Sequence, residues 1–226
     1  MRFATTRCLA TVIAAGLVAA SPTLAAGFAG DARMVRLDAK DPDAQRNRGT
    51  REQTQSDLYQ IIVYYNAAIK RDPNDDDAYF HRGLAKLYAG ALPAAMADLV
   101  QASRLDPEYA YYALWIDIID KRRNEAGSLA QATAHFDMSK WPAPVVRLFL
   151  GETTPAAVRA AADDLDPATR GGQLCEANFY SGEYARQHGD MQEAARLFRL
   201  AAAGCARDFV EGPAAGAELE ALGQSP

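Results

Sequence analysis

Residues 76–107 read DDAYFHRGLAKLYAGALPAAMADLVQASRLDP, and an Asp72-Pro73 pair stands just ahead of them. The stretch closes on a second such pair, Asp106-Pro107, so the prolines lie 107 − 73 = 34 residues apart. A fixed period of that size marks a stacked helical-hairpin repeat. The residues between the prolines carry the same message. Tyr79, Leu87, Leu99 and Ala102 recur at helical spacing and supply core surface. Gly83 and Ala85 on the first predicted helix, and Ala95 on the second, are small enough for two helices to cross closely. Gly90 stands where the first helix must end in a residue that tolerates positive φ. Pro107 cannot continue a helix and stops the second.

Working outward, Leu58, Ile61, Ile62, Tyr65, Ala68 and Ile69 recur at steps of one helical turn. They read as the second helix of an incomplete first repeat, extended back to about residue 51, with Thr50 as its cap. After Pro107, Tyr111 to Ile119 is apolar almost all round, which predicts a helix in the middle of the stack. Lys121, Arg122 and Arg123 suit its C-terminal end, and Leu129 to Phe136 is expected to be its partner helix. Trp141-Pro142-Ala143-Pro144 breaks the pattern and starts a helix through Val146 and Phe149 to Gly151. Thr154-Pro155 starts another, to Asp164, and Asp166-Pro167 with Gly171-Gly172 reads as a loop. The pattern returns over 175–208. There Gly182, Gly189, Ala194, Phe198 and Ala201 take the places of Gly83, Gly90, Ala95, Leu99 and Ala102. A last helix, Asp208 to Leu222, is expected to cap the open end. No run of alternating β-branched residues interrupts this, so the chain is read as all-α, with a repeat domain over 50–226.

The first 25 residues read as a secretory signal. Arg2 and Arg7 form a basic start, Leu9 to Ala20 an apolar run, and Thr23-Leu24-Ala25 a small-residue cleavage site, with cleavage after Ala26 the near alternative. A membrane anchor is the competing reading, against which the run falls short of the ~20 residues a span needs. Cys8 precedes the apolar run, so it is not placed to accept a lipid. The expected product is periplasmic, not lipidated and without a transmembrane segment, opening on a polar, flexible segment over 26–49. Losing two arginines takes the formal charge from −5 to −5 − 2 = −7. An acidic chain with no basic stripe argues against nucleic acid as a partner. Export also leaves Cys175 and Cys205 as an even pair in an oxidising compartment. They stand at adjoining ends of one predicted antiparallel hairpin, which points to a disulfide; two free or buried thiols are the alternative.

The 34-residue register, counted with Asp76 as position 1, resembles the tetratricopeptide repeat (TPR) family: Gly83, Ala85, Gly90, Ala95, Leu99, Ala102, Leu105 and Pro107 fall at its marked positions. Arg82 and Lys86 depart from it, where Leu and Tyr are usual. The C-terminal stretch is similar, over about residues 174–222, to the last repeat of the NlpI family of envelope proteins. Asn178-Phe179-Tyr180, Gly182, Tyr184, Gly189-Asp190, Ala194, Leu197-Phe198, Leu200-Ala201 and Phe209-Val210-Glu211 carry that likeness. It implies a TPR-type helical-hairpin superhelix acting as a periplasmic adaptor. The implied partners are peptidoglycan hydrolases or a periplasmic protease, and a homodimer is part of the implication.

The resemblance also places a concave protein-binding groove on the first helix of each repeat. Its positions are Asp77, Phe80, Leu84, Leu87 and Tyr88 in one repeat, and Glu176, Phe179, Glu183, Arg186 and Gln187 in the other. Phe80 and Tyr88 are the better contact candidates, and Leu84 and Leu87 read equally well as core. His81, His135 and His188 are far apart in sequence, and Asp75-Asp76-Asp77 lacks the later Gly and Glu of a calcium loop. No catalytic, metal or cofactor set is proposed from the sequence, and the chain is expected not to be an enzyme. An assembly or secretion factor using the same groove is the alternative, and a cell-wall hydrolase the more distant one.

Overall fold

In a computed structural model of the chain, the described residues are 42–206 and 209–224, with side chains from residue 55 onward. The expected signal segment 1–25, and the polar stretch as far as residue 41, lie outside them. The described residues are helical throughout, with no strand. Helix α1 spans Pro42–Arg71, α2 Asp76–Tyr88, α3 Leu92–Leu105 and α4 Ala110–Arg122. A short α5, Leu129–Ala132, runs into a turn of 3-10 helix, Thr133–His135. Then come α6 Ala143–Phe149, α7 Pro155–Ala161, α8 Pro167–Gln187, α9 Met191–Gly204 and α10 Glu211–Ala221.

Local chemistry explains most boundaries. The Asp75 carboxylate caps α2 by accepting from the Ala78 amide at 2.8 Å, and Thr154 Oγ1 caps α7 from Ala157 at 3.2 Å. Asp166 caps α8 from Thr169 at 2.8 Å, and Asp190 caps α9 from Glu193 at 3.0 Å. Each satisfies one of the free amides that open a helix. Gly90 and Gly189, just past the ends of α2 and α8, both have φ of +81°, the conformation a residue with a Cβ resists.

Two antiparallel hairpins frame the molecule, α2 with α3 and α8 with α9. A Cβ on Gly83 would lie 3.1 Å from Leu99 Cγ, and one on Gly182 would lie 2.8 Å from the Phe198 ring. Each glycine is therefore what lets its hairpin close. A disulfide joins Cys175 to Cys205 with Cα atoms 4.9 Å apart, across 30 residues of sequence. Helix α4 is buried on nearly every side, as its apolar circumference requires. Trp115, Leu114, Ile118 and Ile119 form the centre of the core with Phe179, Tyr180 and Phe198.

Several expectations need correction. Asp166-Pro167 is the cap and first residue of α8, since proline at the first helical position has no amide to satisfy. Gly171 and Gly172 lie inside that helix, and Gly172 is small because the Phe209 ring occupies the place of its Cβ, 2.6 Å away. The second hairpin thus begins at Pro167, about two turns before Cys175. The partner helix expected over 129–136 is one α-helical turn followed by a 3-10 turn. Helix α7 stops at Ala161 and α10 starts at Glu211. Helix α1 starts at Pro42, inside the segment expected to be flexible. No helix among the described residues is long and apolar enough to cross a membrane.

Candidate functional site

The predicted groove residues divide sharply by burial. Asp77 is exposed, while Phe80, Leu84 and Leu87 are buried. Phe80, one of the better contact candidates, is only 4% exposed, because the α4 side chain Tyr112 packs on it with ring centroids 5.1 Å apart. Phe179 is fully buried against Trp115, 5.3 Å between centroids. Glu176 is buried as well, and its carboxylate takes hydrogen bonds from the Tyr111 hydroxyl and from Trp141 Nε1, the latter at 2.6 Å. Tyr88, Glu183 and Arg186 come together with two residues outside the predicted set, Arg122 and Glu218.

Four helices supply that second group: α2 gives Tyr88, α4 gives Arg122, α8 gives Glu183 and Arg186, and α10 gives Glu218. Arg122 Nη2 reaches Glu183 Oε1 at 2.9 Å and Glu218 Oε1 at 2.5 Å. Arg186 Nη2 lies 3.1 Å from Glu183 Oε2, and its Nε 3.7 Å from Glu218 Oε2. Two cations therefore face two carboxylates. The Glu183 side chain is 0% exposed and that of Arg186 19%, so water reaches the cluster from one side only. Burial pushes the Glu218 carboxyl above its ordinary value, the Glu183 charge pushes the same way, and the two arginines oppose them. Burial works to lower the Arg122 pKa, but the carboxylates of Glu183 and Glu218 more than offset it, and it stays firmly cationic. Burial raises the Tyr88 hydroxyl well above its usual value, so it is a protonated donor.

Donors are left over in this cradle. Tyr88 Oη, Arg122 Nε and Gln187 Nε2 are each buried and have no hydrogen-bond partner among protein atoms. Unpaired buried polar groups of this kind are uncommon and costly in native structures. Gln187 stands one turn beyond Glu183 on α8 and shares its side of the helix.

A second acidic set lies near the start of α10. The Tyr180 hydroxyl donates to Glu211 Oε1 at 3.0 Å. Burial, and then the nearby Glu176 charge, lift the Glu211 pKa to about 7. The histidines are apart in space as in sequence. His81 stacks on Tyr65 at 5.2 Å and sits 3.4 Å from Asp77, and His188 Nδ1 lies 2.7 Å from the Tyr184 carbonyl. Outside the cradle, α1 leaves large apolar side chains exposed around its circumference, Tyr59 at 64% and Tyr64 at 66% among them, with Ile61 and Val63. No protein-family model matches the chain.

The sequence marked Tyr88, Glu183 and Arg186 through their register in the repeat. It missed Arg122, which read only as a charge suited to a helix C-terminus, and Glu218, which carried no signal. Helical spacing relates residues three or four apart, whereas Arg122 and Glu218 are 96 apart.

Proposed function

We propose that this protein is an exported TPR-type scaffold that holds partner proteins in the cell envelope, in the manner of the NlpI family. The observation that carries the reading is the convergence of first-helix residues from α2, α4 and α8 on one cradle. The matched roles of Gly83 with Gly182, and of Gly90 with Gly189, support the repeat assignment, because each pair does the same job one hairpin apart in kind. Peptidoglycan hydrolases or a periplasmic protease are the partners the resemblance implies. A homodimer belongs to the same reading, and α1, with its exposed apolar side chains, is the element it would use.

Crosslinking capture from envelope extracts tests the scaffold. The wild type should recover a defined partner, and Arg186→Ala should lose it without losing helicity. The double variant Tyr59→Ser/Tyr64→Ser should lower the mass seen by light scattering if α1 pairs two copies. Release of muropeptides by the pure protein would instead favour a hydrolase.

A further inference from the structure

Helix α10 is joined to the rest of the molecule in an unusual way. Its inward face is Glu211, Ala214, Ala215, Glu218 and Leu219. Two alanines and one leucine offer little apolar area, and each methylene-sized group contributes only about 0.8 kcal/mol on burial. The polar contacts reach far back in the chain. Glu218 lands on Arg122 of α4 and near Arg186 of α8, and Glu211 lands on Tyr180 of α8. Helix α10 thus packs chiefly along α9 and lays Glu218 on the cradle.

It also fits the cradle incompletely. Three of the buried groups left without partners, Tyr88 Oη, Arg122 Nε and Gln187 Nε2, can each donate a hydrogen bond. An amide NH2 and a guanidinium N–H are donors only, and the protonated Tyr88 hydroxyl can donate as well as accept. The cradle therefore lacks acceptors, and α10 brings a single carboxylate to it. A helix with a second carboxylate one turn from the first would satisfy more of these donors.

We propose that the Tyr88–Arg122–Glu183–Arg186 cradle is a recognition site for an amphipathic acidic helix of a partner protein, with α10 as its resident occupant. This rests on the scaffold reading and names the partner chemistry of that same site. Charge complementarity sets the preference, because two arginines at the cradle face one carboxylate of its own, Glu183. Small residues on the inward face set the shape, since Ala214 and Ala215 are what allow α10 to approach closely.

The test uses the full chain with a protease site inserted after Ala206. After cutting, a fluorescent synthetic peptide of residues 209–226 is added, and its uptake is followed by anisotropy while far-UV dichroism follows helicity. The expected result is retained helicity in the cut chain and exchange of the resident segment for the labelled peptide. A peptide carrying Glu218→Gln should bind at least tenfold more weakly. Loss of helicity on cutting would show that α10 belongs to the core, and would overturn the proposal. So would a peptide that never exchanges, or a Glu218→Gln peptide that binds as well as the original. Failed exchange with intact partner capture would place the scaffold's partner elsewhere. Exchange without capture from the envelope would leave the cradle standing and remove the scaffold reading.

Discussion

The two hairpins close by the same device and satisfy their charges in opposite ways. In α2/α3, Arg82 and Lys86 reach across to Asp98 at 2.6 and 2.7 Å, so the ion pairs stay within the hairpin. Arg82 also donates to Asn66 of α1 at 2.8 Å. In α8/α9, the buried carboxylate Glu183 looks outward and depends on Arg122, 61 residues earlier in the chain. The first hairpin keeps its ion pairs to itself, whereas the second shares its own with α4 and α10. A repeat can keep its backbone geometry and still pass its polar requirements to distant elements, and that is where a binding site can form.

The sharpest way to break the comparison is to remove one carboxylate from each hairpin. Glu183→Ala should cost about 3–5 kcal/mol, because it leaves the buried Arg122 and the half-buried Arg186 with Glu218 as their one shared carboxylate. Asp98→Ala should cost only about 1–2 kcal/mol, since Arg82 and Lys86 are partly exposed and water can replace the lost partner. Urea unfolding of both variants decides it, and equal losses would erase the distinction between them.

Next in size is the disulfide, which only the second hairpin possesses. Cys175→Ser/Cys205→Ser should lower stability by roughly 3–4 kcal/mol on chain-entropy grounds. Hydrogen exchange should then show α9 and α10 opening ahead of α2 and α3. A variant that opens everywhere at once would contradict the idea that the bond serves its own hairpin.

The crossing glycines come third. Gly182→Ala should cost about 1–3 kcal/mol, since its Cβ would meet the Phe198 ring at 2.8 Å in the centre of the core. Gly83→Ala should cost less, since its 3.1 Å approach is to Leu99, whose side chain can shift by a few tenths of an ångström. Thermal midpoints in the reverse order would show that the first hairpin is the tighter one.

The smallest effect is one of pH. Glu211 faces Tyr180, with Glu176, Tyr111 and Tyr109 nearby. Its folded pKa of about 7 lies above the ordinary 4.5 of a glutamate in the unfolded chain. Its contribution is therefore fully present below the unfolded value and is lost as pH rises through about 7. Between pH 6 and pH 8 that amounts to about 1 kcal/mol. Stability measured at the two pH values should fall by that amount in the wild type and stay nearly level in Glu211→Gln.

The hairpins were legible because their determinants are local. Asp-Pro pairs, glycines past helix ends and small residues at the crossing all act within one 34-residue window, and all can be read in order. The same kind of signal misleads at Asp166-Pro167, although Thr154-Pro155, the same capping pair, reads as a helix start. Two glycines following the proline suggested a loop, when Gly172 is small for the sake of Phe209, a residue far along the chain. The cradle was only half legible for the same reason. Positions in a repeat pick out Tyr88, Glu183 and Arg186, but nothing in a periodic pattern announces that Arg122 and Glu218 will meet.

The Cys175–Cys205 bond has one further consequence. Cys205 caps the end of α9, and its Cβ lies 3.2 Å from where a Cβ on Gly212 would be. The root of α10 is thus clamped beside its own landing place, joined by a link of only a few residues. A tether that short holds the helix at an effective concentration in the millimolar range. A free competitor present at micromolar levels starts about a thousandfold behind. It must recover that ground through better contacts, by carrying two linked helices, or by being delivered to the envelope at high local density. The bond therefore sets the threshold a partner has to exceed before the cradle changes hands.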